Sequence, residues 1–336
     1  MRKLKTLVIF ALLLFLTGCS RNPVTGKTSL NFYSETQEIK MGEDYHPQIV
    51  DEYGGEYKNP ALHNYVQDIV SRLGDVSHRP NLDYRVTLLD TPQINAFAIP
   101  GGHVYICRGL LHYINSESEL AGVMGHEIGH ISAKHSVQRL SKQNGLDLGL
   151  LFGGLFMLLG GVSRETVDTV VNVGQSVGVL AILSYSREDE MEADRLGIEY
   201  SHKAGFSPQG VGRLMTMFER LGGKSDPLST ILSTHPASEI RAKQARIEVQ
   251  KLVDRGGINQ DMARERYLSK INGLPIGESK KYTGYLQIYT TQAGDTWESL
   301  TRKHFTAGNT DPKRLAWFND CELKDPLPKQ IKIGLF

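Results

Sequence analysis

Glu119-Leu120-Ala121-Gly122-Val123-Met124-Gly125-His126-Glu127-Ile128-Gly129-His130 is the stretch on which the reading of this 336-residue chain turns. Apolar and helix-forming residues lead into a His-Glu-x-x-His pattern. On an α-helix, positions four apart lie one turn above each other on the same face. His126 and His130 then aim two imidazoles at one point, where a single Zn²⁺ can be held, and Glu127 reaches a water beside it. Such a metal acidifies the water, and the carboxylate takes its proton and returns it to a leaving amine, which is the chemistry of peptide-bond hydrolysis. A surface helix with two unrelated histidines carries the same five letters. The apolar approach argues against that alternative, because a helix buried on most sides must find partners for its histidines and glutamate.

A catalytic zinc takes three protein ligands and keeps one position open. His135 follows His130 by five residues, with Ala133 where the metzincin spacing has Gly, so it reads as a structural residue or as support for a ligand. The run Ser186-Arg187-Glu188-Asp189-Glu190-Met191-Glu192-Ala193-Asp194-Arg195 sets Glu190 and Asp194 four apart, on one helix face. Glu190 suits the third-ligand place. Asp194 suits the support of a ligand histidine through its other ring nitrogen. A charged, solvated helix start is the alternative for this run.

These motifs, in this order, resemble the CAAX-prenyl-protease-type (gluzincin) zinc metallopeptidases, and within them a bacterial periplasmic lipoprotein branch. Further matching pieces are Arg21-Asn22-Pro23-Val24-Thr25-Gly26-Lys27, Asn95-Ala96-Phe97-Ala98-Ile99-Pro100-Gly101-Gly102, and Ser233-Thr234-His235-Pro236 with Arg241. The similarity spans about residues 20–250. It implies that His126, His130 and Glu190 bind one Zn²⁺, that Glu127 is the base, and that Asp194 supports a ligand. It also implies that His235 lies near the metal, either stabilising an oxyanion or filling the open coordination position. A histidine that merely starts a helix beside Pro236 is the alternative.

The chain is long enough for one large domain and a small one, and 38 basic against 37 acidic residues leave it near neutral. No basic tract points to nucleic acid. Arg2, Lys3 and Lys5, the apolar Leu7–Leu16 and Leu16-Thr17-Gly18-Cys19 read as a secretory signal of lipoprotein type over residues 1–18. Cleavage before Cys19, lipidation of Cys19 and, from Ser20, an outer-membrane address facing the periplasm are what the resemblance to a lipobox implies. An uncleaved signal anchor is the alternative. Cys107 and Cys321 then remain, and two buried free thiols are favoured over a bridge.

Along the chain, helices are expected at 36–53, 60–74, 116–141, 187–204, 207–222 and 236–253, and strands at 83–90, 95–99 and 103–106. Ser116 with Glu119 forms a capping box at the start of the long central helix. A strand at Asn95–Ile99 would let an extended peptide add by backbone pairing, as the resemblance implies; an ordinary hairpin is the alternative. Residues 145–183 are Gly- and Leu-rich and read as a buried hairpin or lid, with a membrane-dipping segment as the runner-up. Residues 254–284 read as a linker. The tail from 285 resembles a LysM module through Ala293-Gly294-Asp295-Thr296-Trp297-Glu298-Ser299-Leu300 and Asn319, which implies a βααβ fold and glycan binding; an appendage that only packs on the rest is the alternative.

The expected architecture is α+β: a mostly helical zincin-type domain over 19–253 with a small sheet beside the metal helix, and a βααβ unit over 285–336. The expected activity is a zinc endopeptidase acting on unfolded or misassembled envelope proteins, tethered through Cys19 and with peptidoglycan as a further partner. A chaperone-like factor with an occluded metal site and a peptidoglycan-binding lipoprotein are the rivals.

Overall fold

A computed structural model describes residues 19–143, 185–221, 231, 234–235, 239–305 and 311–334. The proposed signal (1–18), the segment 145–183, Ser233 and Pro236 therefore lie outside the described residues. The architecture is helix-rich with small sheets. A short hairpin, β1 (Cys19–Arg21) and β2 (Thr28–Leu30), precedes helices α1 (Glu35–Glu52) and α2 (Pro60–Asp75). Strands β3 (Arg85–Leu89), β4 (Ala96–Ile99) and β5 (His103–Cys107) form one sheet in the order β3-β5-β4, with β3 parallel and β4 antiparallel to β5. The short α3 (Arg108–Tyr113) then leads to α4 (Glu117–Ser132), the helix of the His-Glu-x-x-His pattern. Beyond it lie α5 (Arg187–Lys203), α6 (Gly210–Leu221) and α7 (Glu239–Arg255).

The period of two along β4 decides how the sheet is clothed. Ala96 and Ala98 pack with Val66, Leu120 and Met124 from α2 and α4, while Phe97 and Ile99 face the other way, against Ile49 and Tyr53 at the end of α1. Both faces of the strand are thus buried, and the sheet backs onto the metal helix through small side chains.

Helices α4 and α5 meet backbone to backbone. A Cβ built on Gly125 would lie 3.1 Å from the Gly197 carbonyl oxygen, and one on Gly197 would lie 2.9 Å from the His126 nitrogen. Gly129 faces Ala193 in the same way, at 3.2 Å. No larger residue fits this seam without moving a helix.

Two stretches differ from the sequence reading. The helix expected over 116–141 is interrupted. Ala133 is its C-cap, Lys134 adopts a left-handed φ of 60°, and the chain is helical again from 135. The freed Ala133 carbonyl accepts from Asn22 Nδ2 at 2.9 Å and Gln138 Nε2 at 2.7 Å, so distant side chains satisfy the helix end. Residues 254–284, read as a linker, carry α8 (Arg264–Ile271) and the hairpin β6 (Pro275–Glu278)–β7 (Lys281–Tyr285). Tyr267, Leu268 and Ile271 belong to the main core. Arg108, fully buried, donates to Asp90 Oδ1 at 2.7 Å and to the carbonyls of Pro275 and Gly277. Of the glycines that suggested a flexible connection, Gly273 sits in a turn with φ of 80°, and Gly277 sits at a bulge within β6 with φ of 100°.

The final unit runs β8 (Gln287–Thr290), α9 (Trp297–His304), α10 (Pro312–Phe318) and β9 (Gln330–Ile333), with β8 and β9 antiparallel. Trp297, Leu300, Leu315, Ile331 and Ile333 form its core. It is docked rather than tethered. The buried Lys332 Nζ donates to the carbonyls of His112, Tyr113 and Ile114 at 2.7, 3.0 and 3.0 Å, and burial pushes its ammonium well below the usual lysine range. Asn319 bonds the backbone of Lys332 from both ends of its amide. Cys107 is a buried free thiol and Cys321 a half-buried one. Among the described residues, no helix is long and apolar enough to cross a membrane.

The helix seam gives a direct test. Gly197→Ala should destabilise the protein by about 1–3 kcal/mol, as overpacking does. Gly212→Ala, where an added Cβ meets nothing within 4 Å, should gain up to about 1 kcal/mol from helix propensity. Urea titrations of the two variants should therefore move in opposite directions, and equal midpoints would contradict the close approach.

Candidate metal centre

Helix α4 begins at Ser116, whose side chain accepts from the Glu119 amide, and every one of its residues is buried. Helix α5 begins at Ser186 with a reciprocal cap to Asp189. The glycine seam then sets the second turn of α5 against the last turns of α4. This brings Glu190 and Asp194, some sixty residues along the chain, to the two histidines.

His126, His130, Glu190 and His235, all buried, offer ligand atoms that lie within 4.8 Å of one another. The Nε2 atoms of His126 and His130 are 3.0 Å apart. His235 Nδ1 is 3.3 Å from His126 Nε2 and 2.9 Å from Glu190 Oε1. Glu190 oxygens stand 3.5 Å from both His126 Nε2 and His130 Nε2. Donors arranged tetrahedrally at the usual zinc–ligand length sit about 3.4 Å from each other. The set of imidazoles and one carboxylate therefore fits a tetrahedral divalent cation.

His126, Glu190 and His130 each have a supporting group. His126 Nδ1 lies 2.9 Å from Asp194 Oδ1. Arg241 donates to both Asp194 oxygens at 2.8 Å and pairs with Glu190 Oε2 at 2.8 Å. His130 Nδ1 is 2.9 Å from His135 Nδ1, and His135 reaches Glu192 Oε2 at 3.2 Å through its other nitrogen. Tyr185 stacks on His130 with 3.7 Å between ring centres, its hydroxyl 2.9 Å from Ser136 Oγ.

Charge in this pocket follows from burial and pairing. Burial raises the Glu190 carboxyl, but His235, His126 and His130 outweigh it and hold the group far below the usual carboxylate range. Asp194 is likewise raised by burial and lowered more by Arg241 and His126. Burial opposes charge on His126, yet Asp194 and Glu190 raise it to about 10, whereas burial keeps His130 well below its ordinary value. Glu127 is raised, chiefly by burial. Its Oε2 has no hydrogen-bond partner among the described residues, and its Oε1 lies 3.7 Å from His235 Nε2. That carboxylate stands beside the four donors with free accepting capacity. A cavity of about 70 Å³ adjoins it, walled by Val123, Val211, Leu214, Met215 and Ile231.

The structure thus brings together His126, Glu127, His130, Glu190, Asp194 and His235. Cys19 is remote in sequence from all of them and opens β1. Sequence reasoning gave no role to Arg241 or Tyr185. The available signals were positional: Arg241 follows His235 by six residues, and Tyr185 immediately precedes the cap of α5.

The pattern of Peptidase family M48 matches residues 60–249, more than half of the chain. The β-barrel assembly-enhancing protease of Escherichia coli (strain K12) is 28% identical over 225 residues, covering 67% of this chain and 46% of that protein. The same-named protein of Yersinia pestis is 30% identical over 232 residues, with the same coverage. The mitochondrial metalloendopeptidase OMA1 of Schizosaccharomyces pombe is 27% identical over 225 residues, covering 66% of this chain and 64% of that protein. The chain thus spans about half the length of its bacterial relatives.

The supporting layer can be tested by metal affinity. Asp194→Asn keeps the shape but weakens the hold on His126 and Arg241, and should lower affinity about 10–100-fold. Competition with a chromogenic chelator reads this. An affinity equal to wild type would remove Asp194 from the support of the site.

Proposed function

This chain belongs to peptidase family M48, and on that premise we propose that it is a zinc-dependent endopeptidase hydrolysing peptide bonds in extended polypeptides. The observation that carries the proposal is the close four-residue donor set with Glu127 Oε2, unpartnered among the described residues, beside it. His126, His130 and Glu190 hold the ion. When bound, zinc acidifies a water and polarises the scissile carbonyl. Glu127 accepts the water's proton on a carboxylate oxygen and delivers it to the leaving amine; burial raises its proton affinity toward that task. Asp194 fixes the His126 ring, and Arg241 fixes Asp194. His235 Nδ1 would supply a fourth donor to a bound ion, and substrate would then have to displace this ring.

Burial of the four donors and of every residue of β4, whose free edge a substrate strand would pair with, supports an occluded resting state. Substrate entry then requires the site to open, which is how an endopeptidase in a crowded envelope spares its neighbours. We further propose lipidation at Cys19, residence on the periplasmic face of the outer membrane, and action on misfolded or misassembled envelope proteins. Support comes from the signal-like residues 1–19 and from the name of the bacterial relatives. Glycan binding by the βααβ unit is a lesser proposal, supported by its element order and the Ala293–Leu300 motif.

Glu127→Gln should keep about one metal ion per chain and lower casein cleavage by about 10²–10⁴-fold or more. Metal analysis beside the digest decides: loss of metal with activity intact would overturn the role of Glu127. Glu190→Gln should lose metal far more readily than Glu188→Gln or Glu192→Gln, and equal metal content in the three would place the ligand elsewhere.

For His235, the expected result of His235→Ala is higher basal cleavage of small peptides. A fall in turnover with metal content unchanged would instead assign it to transition-state stabilisation.

A further inference from the structure

We infer that the face built from residues 19–34 and 133–143 is a docking surface for anionic lipid headgroups. The inference rests on the reading of Cys19 as the lipid-bearing residue, which supplies the first attachment; this surface supplies the second.

The two segments are joined. Asn22 Nδ2 donates to the Ala133 carbonyl at 2.9 Å, and the Phe32 amide donates to Ser141 Oγ at 2.9 Å. Asn22 Oδ1 also accepts from the Val24 and Thr25 amides, and the Gly26 amide returns to the Asn22 carbonyl at 2.9 Å. The loop Asn22–Lys27 is therefore a fixed turn on the end of α4.

The charge of this face is one-sided. Segments 19–34 and 133–143 contain Arg21, Lys27, Lys134, Arg139 and Lys142 and no Asp or Glu, in a chain whose charges otherwise balance at 38 against 37. The nearest acids are engaged. Glu38 pairs with Lys134 at 2.6 Å and Arg79 at 2.7 Å, Glu35 pairs with Arg79 at 2.8 Å, and Glu192 meets His135 at 3.2 Å. Asp189 lies 3.6 Å from the same ring. Arg21, Lys27, Arg139 and Lys142 are exposed and form no ion pair among the described residues. Four exposed cations on two joined segments of a near-neutral protein are what an anionic leaflet attracts, about fivefold in affinity for each.

The position of β1 adds geometry. Its first residue, Cys19, pairs with Leu30, so no slack separates the proposed lipid from the fold. A tether of that length holds the basic turn at headgroup level and leaves an acidic protein partner little room to compete for it. Contact would reach α4 directly, because Asn22 caps it one residue before Lys134.

Lysine footprinting of the full chain on vesicles tests this. The protein is bound to vesicles of phosphatidylcholine, or of phosphatidylcholine with phosphatidylglycerol, and acetylated briefly before mass spectrometry. Lys27 and Lys142 should lose reactivity several-fold on the anionic vesicles, and high salt should restore it, because screening shortens the reach of charge to a few ångströms. Lys251 and Lys313, exposed on α7 and α10, should not change. In the variant Arg21→Gln/Arg139→Gln, the difference between vesicle types at Lys27 and Lys142 should shrink at least severalfold, with Lys251 and Lys313 as the check on folding. Equal reactivity on both vesicles, or an unaltered difference in the variant, would overturn the docking surface. Failure of the wild-type chain to float with phosphatidylcholine vesicles would overturn the lipid tether instead.

Discussion

The close approach of α4 and α5 is the constraint on which the rest of the site depends. A zinc-type donor set tolerates errors of a few tenths of an ångström, yet two of its elements are separated by more than fifty residues of chain. Gly125, Gly129, Ala193 and Gly197 remove side chains from the seam, so the distance between helices is set by backbone contact and not by rotamers. Side chains can repack; backbones in contact cannot. The precision of the site is bought here, in residues that touch no ligand.

Around that seam the protein balances charge by layers. Glu190 is the anion at the centre, Asp194 and Arg241 cancel each other one shell out, and His135 with Glu192 closes the opposite side. Buried ions are costly unless each is paired and hydrogen-bonded, and truncating one partner leaves the other exposed to that cost. Arg241, on a separate helix, thus pairs with both Asp194 and Glu190 without offering a donor atom of its own to the cluster. It also leaves Glu127 as the acidic group with accepting capacity to spare, a distinction drawn by surroundings and not by residue type.

Much of this was legible in the residues themselves. The pattern at 126–130 and the four-residue step from Glu190 to Asp194 carry helical geometry directly, because one helix turn converts spacing into position. The same holds for the sheet, where alternation along 83–90 pointed to the strand found at 85–89. What was not legible depended on contacts across the chain. The break at Lys134 is stabilised by Asn22, 111 residues away from Ala133, and no local propensity announces it. The order in residues 264–285 comes from Arg108 and Tyr267 reaching across the core, so glycines that locally suggest freedom mark turns instead. Tyr185 escaped, and Arg241 was singled out without a role, for the same reason: a supporting side chain is defined by what it touches, and spacing along one helix says nothing of a second.

Lys332 has a consequence for the birth of the protein. Its ammonium holds the carbonyls of residues 112–114, which lead into α4, yet it follows them by about 220 positions. During synthesis those carbonyls appear long before their partner does. Loop closure over such a span is slow and cannot begin until the distant strand has emerged. Until β9 folds into place, the entrance to the metal helix lacks three of its bonds. A partly made chain therefore holds an unbraced helix start, and completion of this region is deferred until the tail has arrived.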